Sequence, residues 1–116
     1  MESKHAIESH FIGRDRAVTA VYDKLLETIR RFGPFTEDPK KTSIHLVRKT
    51  AFAGIATRKT SLVLTLKAAA DKKSSRIHKR EQVSKNRWHL EIKLESPVQV
   101  DRELIGWVRQ AYDLAG

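Results

Sequence analysis

The sequence predicts an α+β fold, a two-layer sandwich in which an N-terminal and a C-terminal helix cover one face of an antiparallel sheet of four to five strands. Near both ends of the chain, apolar residues recur every three or four positions, as in amphipathic helices. Between these segments the period changes to two, which is typical of strands buried on one face. Short polar connections favour a meander of neighbouring strands. We expect residues 1–116 to form one domain.

Two helices are predicted. The first covers about residues 15–31, because Asp15 can cap its N-terminus and Gly33-Pro34 ends it. Its apolar stripe consists of Val18, Val21, Tyr22, Leu25, Ile29 and Phe32. The second helix covers about residues 102–115 and follows Asp101, another suitable N-cap. Its stripe consists of Leu104, Ile105, Val108, Ala111, Tyr112 and Ala115.

Four strands are predicted between the helices, with a fifth left open at 76–83. The four are 42–47, 50–56, 61–67 and 87–94. The last of them alternates without interruption, with Trp88, Leu90, Ile92 and Leu94 pointing inward. Residues 68–75 are mostly polar and charged, and they are predicted to be the least structured segment between the two helices.

One sheet face is predicted to stay open to solvent, because two helices can cover only the apolar face. The side chains predicted on the open face are His45, Val63, Thr65, Lys67, Arg87, His89, Glu91 and Lys93. Most of them are polar, and several are basic. This open face is the structural prediction on which the functional hypotheses depend.

The positive charge is concentrated in the predicted sheet. The chain carries a formal net charge of +9. Residues 41–90 hold thirteen basic and two acidic side chains, whereas 1–40 are balanced and 91–116 are net negative. Such clustering is typical of a surface that faces an anion.

Several segments resemble a known family. They are Lys41-Thr42-Ser43-Ile44, residues 52–66, Trp88-His89-Leu90 and residues 100–112, together with His10-Phe11-Ile12-Gly13-Arg14 before the first helix. In these segments the chain resembles the prokaryotic family of domains of unknown function numbered five-six-five-five. The resemblance implies a small stand-alone or appended domain and supplies no catalytic residues. Members are sometimes labelled predicted transport proteins, but no segment here reaches the ~18–20 apolar residues of a membrane span.

Composition excludes several classes of function. The chain has no cysteine, which removes disulfide scaffolds, thiol nucleophiles and cysteine-ligated metals. It also lacks a Gly-rich phosphate loop, a Gly-x-Ser-x-Gly elbow and a His-Glu-x-x-His motif. The N-terminus has no apolar stretch of a secretory signal, so we expect a soluble cytoplasmic domain. We predict no cofactor and no catalytic residues, and we leave enzymatic activity open.

The function that these patterns favour is a binding module that docks an anionic partner, either nucleic acid or an acidic protein surface, on the basic open face. The candidate anion-binding residues are Lys41, His45, Arg48, Lys67, Arg76, Arg87, His89 and Lys93. After Phe35, exposed aromatic residues are scarce, since Trp88 and Tyr112 belong to the core pattern and only Phe52 and Trp107 are unassigned there. Sequence-tolerant contact with a phosphate backbone is therefore favoured over base recognition.

Alternative hypotheses remain open. A small-molecule or enzymatic pocket is one, at the sheet edge near Lys41, His45 and His89. A homodimer across the open face is another, although a basic face repels its own copy. Two weaker alternatives are a zinc site and a nuclease half-motif. The first would join His45, His78 and His89, and the second would use Glu91-Ile92-Lys93.

Overall fold

In a computed structural model that describes residues 6–116, two α-helices flank a six-stranded sheet. Helix α1 spans Arg16–Arg30 and begins at Asp15, whose carboxylate accepts a hydrogen bond from the Ala17 amide at 3.0 Å. It ends before Gly33, where φ is +149°. A β-carbon at Gly33 would lie 2.5 Å from the Tyr112 hydroxyl, so only glycine fits there. A 3₁₀ turn, Ile7–Phe11, precedes α1.

Helix α2 spans Arg102–Leu114 and begins at Asp101, which accepts a hydrogen bond from the Leu104 amide at 3.1 Å. The preceding 3₁₀ turn, Pro97–Gln99, carries its own capping box. The two predicted helices and their aspartate caps are therefore confirmed.

The sheet has six strands, so the predicted count of four to five was too low. The strands are β1 (Thr36–Pro39), β2 (Ile44–Val47), β3 (Ala51–Thr57), β4 (Leu62–Ala68), β5 (Ile77–Ser84) and β6 (Arg87–Leu94). Strand β1 was not predicted, because its sequence is Thr-Glu-Asp-Pro and lacks the alternating apolar residues of a buried strand. This strand forms because it pairs with β2 at the edge of the sheet, from Thr36 opposite Val47 to Pro39 opposite Ile44.

The expected meander does not extend beyond β4, because the strand order is β1-β2-β3-β4-β6-β5 with all neighbours antiparallel. The segment 76–83, which the sequence left open, forms strand β5 at the second edge of the sheet. Of its residues only Ile77 is buried, whereas β6 buries Leu90, Ile92 and Leu94. The more apolar strand occupies the interior of the sheet because both of its neighbours shield it from water.

The helices pack on one face of the sheet, which confirms the two-layer α+β sandwich. Helix α2 packs on β3 and β4, and α1 packs on α2 and β4. The alternating leucines and isoleucines of β2, β3, β4 and β6 are at most 1% exposed. Burying each such side chain contributes about 1.5–3 kcal/mol to folding.

The two aromatic residues left unassigned by the sequence both pack on the helical side. Phe52 lies where the register between β2 and β3 shifts. Its ring is buried, and the centres of the Phe52 and Tyr112 rings are 5.4 Å apart. Trp107 is half-buried on α2 and packs against the core. Trp88 also contacts the core but is only partly buried.

Candidate functional site

The uncovered face of the sheet contains a cleft of about 320 Å³. Its floor lies at Gly54, which pairs with His45 on β2 and with Thr65 on β4. A β-carbon at Gly54 would stand 3.9 Å from both neighbouring side chains. The missing side chain therefore leaves an open depression in the middle of the sheet. Small residues continue the floor along β3, at Ala51 and Ala56.

Three nitrogen-bearing side chains line this cleft. His45 projects from β2, Lys67 from β4 and His89 from β6. Lys67 and His89 are directly opposite each other across the β4–β6 ladder, so antiparallel pairing places them side by side. His45 and Lys67 are half-buried, and His89 is exposed. The cleft thus combines an apolar floor with polar groups that can donate hydrogen bonds to an anion.

The Lys67 ammonium is available to an anion. Its Nζ donates a hydrogen bond to the Thr50 hydroxyl at 3.0 Å. No ion pair within residues 6–116 involves Lys67. Its positive charge is therefore uncompensated at the rim of the cleft.

Toward the β5 edge, the charge on the open face is neutralised. Glu91 is opposite Thr65 and interacts with His78 at 3.5 Å and with Lys79 at 3.9 Å. Glu81 is opposite His89 on β5. Part of the positive charge of this face is therefore paired near the β5 edge, whereas Lys67 at the cleft has no acidic partner among residues 6–116.

Two of the predicted anion-binding residues, Arg48 and Arg76, lie on the helical side. Arg48 follows β2, stacks 4.0 Å above the centre of the Tyr112 ring and donates to the Tyr112 carbonyl at 3.0 Å. It thus stabilises the C-terminal turn of α2, where carbonyl groups lack helical partners.

Arg76 binds the start of α2. Its guanidinium donates to Asp101 at 2.8 Å, to Glu103 at 3.1 Å and to the Gln99 carbonyl at 2.7 Å. The hydrogen bond from Arg76 is the largest cause of a lowered pKa at Asp101, and the hydrogen bond from the Leu104 amide is the second. Partial burial opposes the charge of Arg76, but the carboxylates outweigh it and raise its pKa.

The remaining predicted anion-binding residues are Lys41, Arg87 and Lys93. Lys41 is in the exposed turn between β1 and β2 and does not line the cleft. Arg87 and Lys93 alternate with His89 on β6 and so share its face. Arg87 donates to the Asn86 carbonyl at 2.9 Å, and Lys93 is 4.0 Å from Glu95.

The structure does not bring the three histidines of the zinc hypothesis together. Within residues 6–116, no group of three or more His, Asp and Glu side chains could hold a metal ion. His78 instead lies beside Glu91 near the β5 edge, while His45 is on β2. Glu91, the acid of the suggested nuclease half-motif, has His78 and Lys79 as its neighbours.

Sequence reasoning missed the floor of the cleft, Gly54 and its small neighbours. The available signal was the run Ala51-Phe52-Ala53-Gly54-Ile55-Ala56, which places four small residues in one strand. Small residues in a strand mark a position where another group can approach the backbone closely. The outward directions of His45, Lys67 and His89 followed from the period of two, but their shared cleft did not.

Among residues 6–116, no helix is both long enough and apolar enough to cross a membrane. The chain matches no curated protein and no solved structure. A family model described as "Domain of unknown function (DUF5655)" matches residues 7–115, which is nearly the whole chain. The match includes both helices, all six strands and the cleft. The chain therefore belongs to the family of domains of unknown function DUF5655.

Proposed function

We propose that this domain is a binding module that takes an anionic ligand in the cleft on the open face of its sheet. The observation that carries the proposal is the uncompensated Lys67 ammonium between two imidazoles, His45 and His89, above a floor of glycine and alanine. The cleft volume of about 320 Å³ lies within the roughly 300–1,000 Å³ range of small-molecule sites.

The charge pattern favours a small anion over an extended polyanion. A nucleic acid lying across the whole face would approach Glu81 and Glu91 as well as the basic groups. Of the candidate cations, Arg48 and Arg76 are directed to α2 and add nothing to this face. A compact anion can contact the Lys67 ammonium from the β3 side of the cleft, on the other side of β4 from the carboxylates of β5 and β6. The proposed ligand is therefore a small molecule with a phosphate or carboxylate group.

The test compares anions of different size. Thermal unfolding is measured with inorganic phosphate, adenosine monophosphate, citrate and a 20-nucleotide single-stranded DNA. A ligand present at about 100 times its Kd stabilises the native state by about 2.7 kcal/mol. We expect at least one small anion to raise Tm. A rise with DNA alone, decreasing steeply as salt increases, would favour the nucleic-acid hypothesis instead.

Three variants locate the site. Lys67→Gln removes the charge, and Gly54→Val fills the floor while the β-carbon itself has ordinary contacts at 3.9 Å. Both should weaken binding about ten-fold or more, which corresponds to about 1.4 kcal/mol. Lys24→Gln, at an exposed position on α1, is the charge-matched control and should leave affinity unchanged. Equal affinity in all three variants would place the ligand elsewhere.

The remaining hypotheses give different results in the same experiments. An acidic protein partner would leave every small-molecule titration flat. A homodimer across the open face would double the mass in light scattering, and Gly54→Val would change that mass. A flat small-molecule series with a monomeric protein would contradict the proposed small-anion site.

A further inference from the structure

A second cavity, of about 410 Å³, lies on the helical side of the sheet, between α2 and the segment that follows β4. Leu66 and Leu90, which are only 1% exposed, belong to its lining. Trp107 and Leu114 contribute from α2, and both are half-buried. The cavity therefore offers a largely apolar surface to anything that enters it.

Hydrogen bonds hold the segment beside this cavity in place. Arg80 on β5 donates to the Asp71 carboxylate at 2.9 Å and to the Lys72 carbonyl at 3.2 Å. On the α2 side, the Arg76 guanidinium lies 5.8 Å from the centre of the Trp107 ring and is itself bonded to Asp101. Both sides of the cavity are thus positioned before any ligand arrives.

Two cations without an acidic partner among residues 6–116, Lys67 and Lys72, belong to the lining of the cavity, and Lys67 also lines the open-face cleft. Lys72 Nζ donates to the neutral Gln110 side chain at 2.7 Å. The nearby carboxylates are already paired, Asp71 with Arg80 and Asp113 with Arg109. No ion pair within residues 6–116 involves Lys72. Apolar lining and the uncompensated Lys72 ammonium complement an apolar molecule with a single negative group.

We propose that this cavity is a second binding site and that it takes a small amphipathic anion, such as an aromatic carboxylate. The apolar part contacts Leu66, Leu90 and Trp107. The carboxylate accepts a hydrogen bond from Lys72 Nζ and replaces the Gln110 side chain as its partner. A hydrogen bond between an ammonium and a carboxylate joins two opposite charges, so it is stronger than the bond between the ammonium and a neutral amide that it replaces. The apolar lining of this site lies on the opposite side of the sheet from the open-face cleft, although Lys67 lines both.

The probe is 1-naphthoate, with neutral 1-naphthylmethanol as its uncharged counterpart. Binding is followed by NMR through the Trp107 indole N–H signal, assigned with a Trp107→Phe variant. We expect saturable shifts of this signal and an affinity for naphthoate about five-fold or more above that for the alcohol. Equal affinity for both compounds, or no saturable shift with naphthoate, would overturn the proposal.

Four variants complete the test. Lys72→Gln should reduce naphthoate affinity about five-fold and remove the preference over the alcohol. Ala69→Phe, at an exposed position that lines the cavity, should abolish binding by filling it. Lys73→Gln, the exposed neighbour that does not line the cavity, should bind as the unmodified protein does. Gly54→Val should also leave naphthoate binding unchanged. If Lys72→Gln and Lys73→Gln behaved alike, or Gly54→Val abolished binding, the assignment of this cavity would be wrong.

Discussion

Replacing Arg76 by methionine should destabilise the fold and leave anion binding on the open face intact. The guanidinium makes three hydrogen bonds at the start of α2, and its side chain is 22% exposed. Both carboxylate partners are about half exposed, so each ion pair contributes only about 0.5 kcal/mol after solvent screening. The hydrogen bond to the Gln99 carbonyl contributes about 1 kcal/mol more. The expected loss is therefore about 2 kcal/mol.

Urea unfolding followed by circular dichroism measures this loss directly. The midpoint should fall with an unchanged slope, because the exposed surface on unfolding stays the same. In thermal unfolding, about 2 kcal/mol corresponds to a Tm about 8 °C lower for a domain of this size. Arg58→Met, in the exposed turn between β3 and β4, is the matched control and should change stability by less than about 0.5 kcal/mol.

The Arg76 contact also predicts a pH dependence. The pKa of Asp101 is lower in the folded state than its ordinary value of 3.8. The contribution of the ionised Asp101 to folding stability is therefore fully present above pH 3.8 and is lost as pH falls further. The stability difference between the native protein and Arg76→Met should therefore shrink in acid. A difference below about 0.5 kcal/mol at neutral pH, or one that is constant down to pH 2, would refute the role assigned to Arg76.

Two further predictions concern Tyr22 in the core and Gly33 after α1. Burial is the largest cause that raises the pKa of Tyr22 above its ordinary value of 10.0, and the hydrogen bond to Glu37 at 2.9 Å is the second. The neutral Tyr22 phenol therefore stabilises the fold below pH 10, and this contribution is lost as pH rises further. Urea unfolding across that range should show a smaller alkaline loss for Tyr22→Phe, and parallel curves would contradict this reasoning. Gly33→Ala should cost about 2 kcal/mol in thermal unfolding, because φ is +149° and the new β-carbon would meet the Tyr112 hydroxyl. Gly13→Ala, with φ of +73° and open space around it, should lose only about 1 kcal/mol; equal losses would exclude the clash.

The spacing of apolar residues was sufficient to predict the helices and strands that bury one apolar face. Both helices follow from their stripes and aspartate caps, and β6 follows from the alternation of Trp88, Leu90, Ile92 and Leu94. Strand β1 could not be predicted in this way, because Thr36–Pro39 buries no apolar side chain and depends on its pairing with β2. A pattern of apolar residues carries no information on a strand that is specified by its hydrogen bonds to the neighbouring strand.

The site was predicted less completely, for the same reason. Alternation placed His45, Lys67 and His89 on the open face, but their common cleft depends on the register of three strands and on Gly54. Arg48 and Arg76 contact α2 and not the open face. Their charge suggested an anion, yet both are directed to α2 by contacts far along the chain, with Tyr112 and Asp101.

The position of β6 between β4 and β5 has a consequence for how the sheet can assemble. The β5–β6 ladder closes over a tight turn from Ser84 to Arg87, whereas the pairing of Ala68 with Trp88 must enclose all of β5 and the connection before it. Enclosing the longer stretch restricts more chain conformations. Hairpin formation is therefore the step with the smaller entropy loss, and the finished hairpin can then add to β4 along the edge that β6 presents.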